Sequence, residues 1–245
     1  MFKIMRKSLI FFLLLSTGFA GAQNAQKIHF DAILVDTHND ILSKVVEDQV
    51  VFDTDLRGKT QSDLVRMQKG GVKVQMFSIF CDEHYGKGSA FVMASRELDS
   101  LFAIVARNPK TMQMVYSYSQ LMKAVKEHKL ACMAGVEGGH MMEDNLDYLD
   151  SFYRRGVRYM TLTWNNSTSW ATSAYDETQK SFKVTPYGLT DFGKQVVKKM
   201  NDLGMMVDVS HIGEKTFWDA PWPSPANPSW PPTVRSMPFV LSLEI

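Results

Sequence analysis

Five short apolar runs recur along the chain: Ala32–Asp36, Val72–Phe80, Ala131–Val136, Val157–Thr163 and Met205–Val209. Each is rich in Val, Ile, Met or Phe and too short for a core helix, which predicts strands buried on both faces. Between them, helical periodicity predicts helices over Thr60–Gln68, Gly88–Arg107, Tyr118–His128, Asn145–Arg155 and Leu189–Leu203. In the last, Leu189, Phe192, Val196, Val197, Met200 and Leu203 form one stripe at spacings of three and four. Thr190 is placed to cap its start and Gly204 to end it. Strand–helix alternation, with Gly71, Gly156 and Gly204 before three of the strands, predicts an α/β fold with a parallel sheet.

The polar residues that interrupt this pattern fall at the C-terminal strand ends. A (β/α)8 TIM-type barrel and a doubly wound open sheet both place their sites there. No Gly-x-Gly-x-x-Gly follows the first strand, which argues against a dinucleotide-binding fold. The first end supplies Asp36-Thr37-His38-Asn39-Asp40, in which His38 and Asp40 point to the same side of an extended chain, about 7 Å apart. Imidazole and carboxylate together suit zinc or a similar divalent ion. The third end supplies Glu137, directly after an apolar run and followed by Gly138 and Gly139. A buried carboxylate needs a cation or strong donors, so the alternative to a metal is a salt bridge to an arginine. The fifth end supplies His211, whose alternative is a buried imidazole bonded to backbone. Taken together, two His and two carboxylates make up most of a two-metal centre, with Glu137 able to bridge through its two oxygens.

Several stretches in one order carry a family resemblance. They are Val35–Asp40, Gly135-Val136-Glu137-Gly138-Gly139-His140, Gly156–Thr163, and Gly188–Gly193 through to Val207-Asp208-Val209-Ser210-His211. Over roughly Phe30 to Ala220 the chain resembles the membrane (renal-type) dipeptidases, zinc peptidases among the amidohydrolase-like barrels. The resemblance implies a barrel of which about the first five strand–helix units are present. It implies two zinc ions, with His38 and Asp40 on the first, Glu137 bridging and His211 on the second. It further implies proteolysis of dipeptides by a metal-bridging hydroxide. A lactone- or cyclic-amide-cleaving barrel hydrolase and a non-catalytic binding fragment are the rival readings.

Two departures stand out. Where many relatives carry a substrate-polarising His after the fourth strand's Leu-Thr, this chain has Trp164, then Asn165 and Asn166. Trp164 and Asn165 are therefore the substrate-contact candidates. The family also continues through three further strands, which carry another zinc-binding His, an Arg for the substrate carboxylate and a proton-shuttling Asp. None of these three is recognisable here, so the proton-transferring residue is unassigned. Of the remaining candidates, His140 reads as support for the site. Asp82, Glu83 and His84 read as a solvated loop, Asp208 as an orienting group, and His29 and His128 as surface residues.

Composition adds a compartment. Lys3, Arg6 and Lys7 precede the apolar stretch Ser8–Leu15 and a small-residue Ala20-Gly21-Ala22, which predicts a signal peptide over residues 1–22 and export to the periplasm or cell exterior. The apolar stretch is too short for a membrane span, so none is expected after cleavage. Cleavage leaves 24 basic against 26 acidic side chains, and no basic patch stands out, which argues against nucleic acid as a partner. The two cysteines, Cys81 and Cys132, end one strand and begin another, too far apart to pair, so both are expected as buried free thiols.

After residues 23–220 the composition breaks, for seven of the nine prolines follow Ala220. Residues 221–245 are read as out-of-frame sequence, since shifting the codons of residues 221–234 by two bases permits a helix end and a strand closing in Ser-His-Ser. Five strands without the rest of a barrel would leave two open edges. The expectation is therefore instability or aggregation unless the chain forms a homodimer.

Overall fold

A computed structural model of the chain describes residues 24–179 and 184–220; the expected signal peptide and the proline-rich tail lie outside them. Six parallel strands form one sheet: β1 (Leu34–Asp36), β2 (Val72–Ile79), β3 (Met112–Met114), β4 (Leu130–Glu137), β5 (Val157–Thr161) and β6 (Met206–Asp208). The path runs β1-β2-β4-β5-β6. β3, absent from the sequence reading, pairs with Leu130–Cys132, and β5 takes over the same edge of β4 from Ala134 onward. At three residues with a central Gln113, β3 is too short to stand out as an apolar run.

Helices alternate with the strands. α1 (residues 24–31) precedes β1, and α2 (Ile41–Glu47) and α3 (Leu64–Gly70) lead into β2. α4 (Ala90–Arg107), α5 (Tyr118–Lys126) and α6 (Leu146–Arg154) follow. Then come α7 (Ala174–Gln179), α8 (Asp191–Leu203) and α9 (Glu214–Asp219). This is the parallel strand–helix order of a partial (β/α) barrel. α3 starts four residues later than its periodicity suggests, because the buried Asp63 carboxylate accepts Arg66 N–H at 2.8 Å and fixes the start at Leu64. α8 ends as expected, with Thr190 accepting Gly193 N–H and Gly204 in the left-handed conformation. α1, α2, α7 and α9, six to eight residues each, are not among the predicted helices.

Sheet residues alternate between two environments, as the pleat requires. Phe77, Ile79, Ala134, Val136 and Met160 join Leu98, Leu101 and Ile104 of α4, Phe152 of α6 and Val196, Val197 and Met200 of α8 in the main core. Their neighbours Ser78, Glu137, Thr161 and Asp208 share hydrogen bonds on the opposite side, Ser78 with Glu137 and Thr161 with Asp208. The first strand departs from the prediction of burial on both faces. β1 is an edge with one neighbour, and Leu34 and Val35 are 36% and 44% exposed. Cys81 and Cys132 are buried and unpaired, as expected. No described helix is long and apolar enough to cross a membrane.

Candidate metal centre

β4 delivers Glu137 as its last residue, and the backbone after it turns sharply. Gly138 has φ of +114°, a conformation that strains any side-chain-bearing residue, and a Cβ there would lie 2.6 Å from the His140 ring. A Cβ on Gly139 would lie 2.6 Å from the Leu162 carbonyl. The two glycines thus provide the close backbone approach that their position implied. Glu137 itself is 4% exposed.

Its two oxygens face different partners. Oε2 lies 3.2 Å from His38 Nε2 and accepts the Ser78 hydroxyl at 3.0 Å. Oε1 lies 3.0 Å from His211 Nε2. His38 Nε2 is also 3.1 Å from Asp40 Oδ1. One donor atom from each of His38, Asp40 and Glu137 falls within 4.8 Å of the others, a spacing that could hold one metal ion. The arginine alternative for Glu137 is not realised; two imidazoles and a hydroxyl face it instead.

The backbone aims these groups. After β1, Asp36 Oδ1 accepts His38 N–H at 3.3 Å and Asn39 Oδ1 accepts Ile41 N–H at 3.1 Å, bending the chain into α2. His211 has φ of +62°, uncommon for a residue with a side chain. Its carbonyl is held from two sides, accepting Ala174 N–H at 2.7 Å and the buried Thr163 hydroxyl at 3.1 Å. That capture fixes where the imidazole points. His211 therefore does use its backbone in a hydrogen bond, but its ring is committed to Glu137.

Electrostatics follow from the same contacts. Burial alone would raise the Glu137 carboxyl, but hydrogen bonds from His211, His38 and Ser78 hold it well below the ordinary carboxylate range. Burial alone would lower His38, but Asp40 and Glu137 push it well above the ordinary imidazole range. The site thus has a strong demand for positive charge between its carboxylates. A donor set of imidazole and carboxylate could meet that demand by holding a divalent cation.

The other sequence candidates fall into place around this cluster. His140 Nε2 lies 2.9 Å from the Cys81 carbonyl, bracing the loop after Glu137 and standing apart from the cluster. Asp208 accepts Thr161, Ser210 N–H and the Ser210 hydroxyl, an orienting role. Asp82 caps a single 3-10 turn and His84 is exposed, consistent with a solvated loop. His29 and His128 are exposed. Trp164 is half-buried, its ring 4.9 Å from that of Phe80, whereas Asn165 is exposed and uses its carbonyl to accept the Ser173 hydroxyl at 2.7 Å.

Beside His38 and Asp40 opens a cavity of about 600 Å³, lined by the α2 residues Ser43, Lys44 and Glu47, the loop Lys59–Ser62 and Phe80. The sequence reading missed Ser78, Thr163 and Phe80. Ser78 left a legible trace as a hydroxyl near the end of the apolar run Val72–Phe80, and Thr163 as the residue that closes Val157–Thr163.

A family model described as membrane dipeptidase (peptidase family M19) matches residues 22–227. Dipeptidase 3 of Mus musculus is 38% identical over 189 residues, covering 75% of this chain and 37% of its own length. Dipeptidase 3 of Homo sapiens is 36% identical over 190 residues, with 74% and 37% covered. The chain thus spans little more than a third of the curated relatives it matches. Among solved structures, the probable dipeptidase PvdM from Pseudomonas aeruginosa aligns with a TM-score of 0.69 at 23% identity, covering 80% of this chain and 51% of that one. A Rhodobacter sphaeroides metallopeptidase, liganded with a phosphinate mimic of the dipeptide L-Ala-D-Ala, aligns at 0.64 and 20% identity, with 76% and 61% covered. These two likenesses carry the fold, and the sequence matches carry the lineage: the chain belongs to the membrane dipeptidase family, peptidase family M19, whose metallopeptidase members rely on a bound metal.

Proposed function

We propose that this chain carries the first part of a two-zinc dipeptidase centre, with His38 and Asp40 on one ion, Glu137 bridging and His211 on the other. The observation that carries the reading is the division of Glu137, whose Oε2 faces His38 while its Oε1 faces His211. A carboxylate serving one ion has no need of imidazoles on both sides. Zinc, when bound, supplies a Lewis acid for a scissile carbonyl and acidifies a water.

The chain's own residues then have distinct tasks. Ser78 orients the Oε2 edge of Glu137 by donating to it. Thr163 and Ala174 N–H hold the backbone of His211. Trp164 and Phe80 form an aromatic wall next to the cavity, a surface suited to an apolar dipeptide side chain. Ligation requires neutral imidazole, so zinc uptake displaces the proton that His38 holds strongly.

The test is zinc titration with chelator competition, followed by hydrolysis assays on Leu-Leu and on a lactone. The expected result is two zinc ions per chain, reduced to one by His211→Ala, and any turnover confined to the dipeptide. Lactone turnover without dipeptide turnover would move the chain to another hydrolase class. A chain that takes up no zinc would overturn the proposal.

A further inference from the structure

Glu97 is the one fully buried carboxylate on α4, and the metal centre makes no use of it. It meets the chain where β2 runs out. β2 ends at Ile79, so the backbone groups of Phe80 leave the strand ladder and need other partners. Phe80 N–H donates to Glu97 Oε2 at 2.7 Å. The Phe80 carbonyl accepts the Ser43 hydroxyl at 3.3 Å. Ser43 sits on α2, three residues after Asp40, and its hydroxyl also faces the Glu97 carboxyl. The backbone of Phe80 is therefore gripped on both sides, by α4 and by α2.

The grip reaches the site through the Phe80 ring. That ring lines the cavity and packs against Trp164, the planes inclined at 59°. Trp164 in turn lies against the turn after Glu137: a Cβ on Gly138 would be 3.5 Å from that of Trp164. Burial raises the Glu97 carboxyl to about 8 despite the opposing hydrogen bond from Phe80 N–H. At neutral pH it is mostly a neutral acid, able to accept from Phe80 while donating toward Ser43. A neutral group suits a position where a bare charge would be costly.

We propose that Glu97 is a positioning residue, which with Ser43 clamps the Phe80 backbone and through it sets the Phe80–Trp164 wall beside the metal ligands. Its effect on substrate rests on the dipeptidase reading; its effect on Trp164 does not.

The experiment uses the full chain in the variants Glu97→Gln, Glu97→Leu and Ser43→Ala, each also made with Trp164→Phe. Subtracting the paired spectra isolates Trp164 emission in zinc-free buffer. Gln keeps an acceptor for Phe80 N–H and a donor toward Ser43, so its Trp164 emission should match the parent. Leu fills the space without either, and should shift Trp164 emission to the red; Ser43→Ala should produce a smaller shift in the same direction. With zinc and Leu-Leu, Glu97→Leu should raise KM about fivefold to tenfold with kcat changed less than about twofold.

A well-folded Glu97→Leu protein with unshifted Trp164 emission would overturn the clamp, as would Gln behaving like Leu. Should Glu97→Leu fail to fold, Ser43→Ala decides, and unshifted emission there overturns it equally. Absence of hydrolysis in every protein counts against the dipeptidase reading and leaves the emission test standing.

Discussion

Glu137 and the His38–Asp40 pair reach the same point from opposite kinds of strand. β4 is buried along nearly its whole length and has neighbours on both sides, β2 on one and β3 then β5 on the other. β1 has three residues, one neighbour, a register shift after Leu34 and two exposed apolar side chains. One side of the centre is thus built into the core, and the other is carried on an edge. The difference teaches that residues brought to one point can rest on very different amounts of packing. Glu137 sits at the end of a buried, doubly paired strand, and Asp40, half-exposed, follows an edge strand.

The sharpest way to break the comparison is Glu137→Ala. Removing one member of a buried ionic cluster leaves His38 and His211 facing each other without their anion, at a cost of about 3–5 kcal/mol. Asp40→Ala, on the exposed side, should cost within about 1 kcal/mol. Chemical denaturation of both variants without zinc measures the gap, and equal losses would contradict it. Next in size, Val136→Ala on β4 should cost about 2 kcal/mol, whereas Val35→Ala on β1 should stay within about 0.5 kcal/mol. Thermal melts decide that pair.

A third test targets the link between strands. Ser78→Ala removes the hydroxyl from Glu137 Oε2 and should cost about 1 kcal/mol and about tenfold in zinc affinity, read by chelator competition. The smallest effect is in pH. Glu137 is depressed in the folded chain, so its contribution is complete above its ordinary value of 4.5 and fades as pH falls below it. His38 is raised, so its contribution is complete below its ordinary 6.5 and fades as pH climbs toward its folded value. Zinc-free stability should therefore peak between those two values. Urea midpoints at about pH 3, 5.5 and 9 check it, and a midpoint at pH 9 equal to that at 5.5 would remove the His38 part.

Much of this was legible in the residues. The strand ends carrying His38, Asp40, Glu137 and His211 could be read because an apolar run makes any polar residue that closes it conspicuous. Parallel order could be read from the alternation with helices. The exposure of β1 could not, because Ile33, Leu34 and Val35 look the same whether a strand has one neighbour or two. Nor could the Glu97–Ser43 grip on Phe80, since it joins side chains 54 positions apart whose meeting depends on how α2 and α4 pack. At Asn165 the structure adds what sequence could not show, a backbone carbonyl that accepts the Ser173 hydroxyl.

The backbone of His211 has a consequence for time as well as for place. With its carbonyl held by Thr163 and by the first residue of α7, the backbone of His211 has little freedom to shift. The half-exposed Asp40 has no such restraint on its side chain. On the proposed two-zinc reading, an ion held by Asp40 should exchange with solution faster than one held by His211. A pulse of isotopic zinc would show this as two separate washout phases.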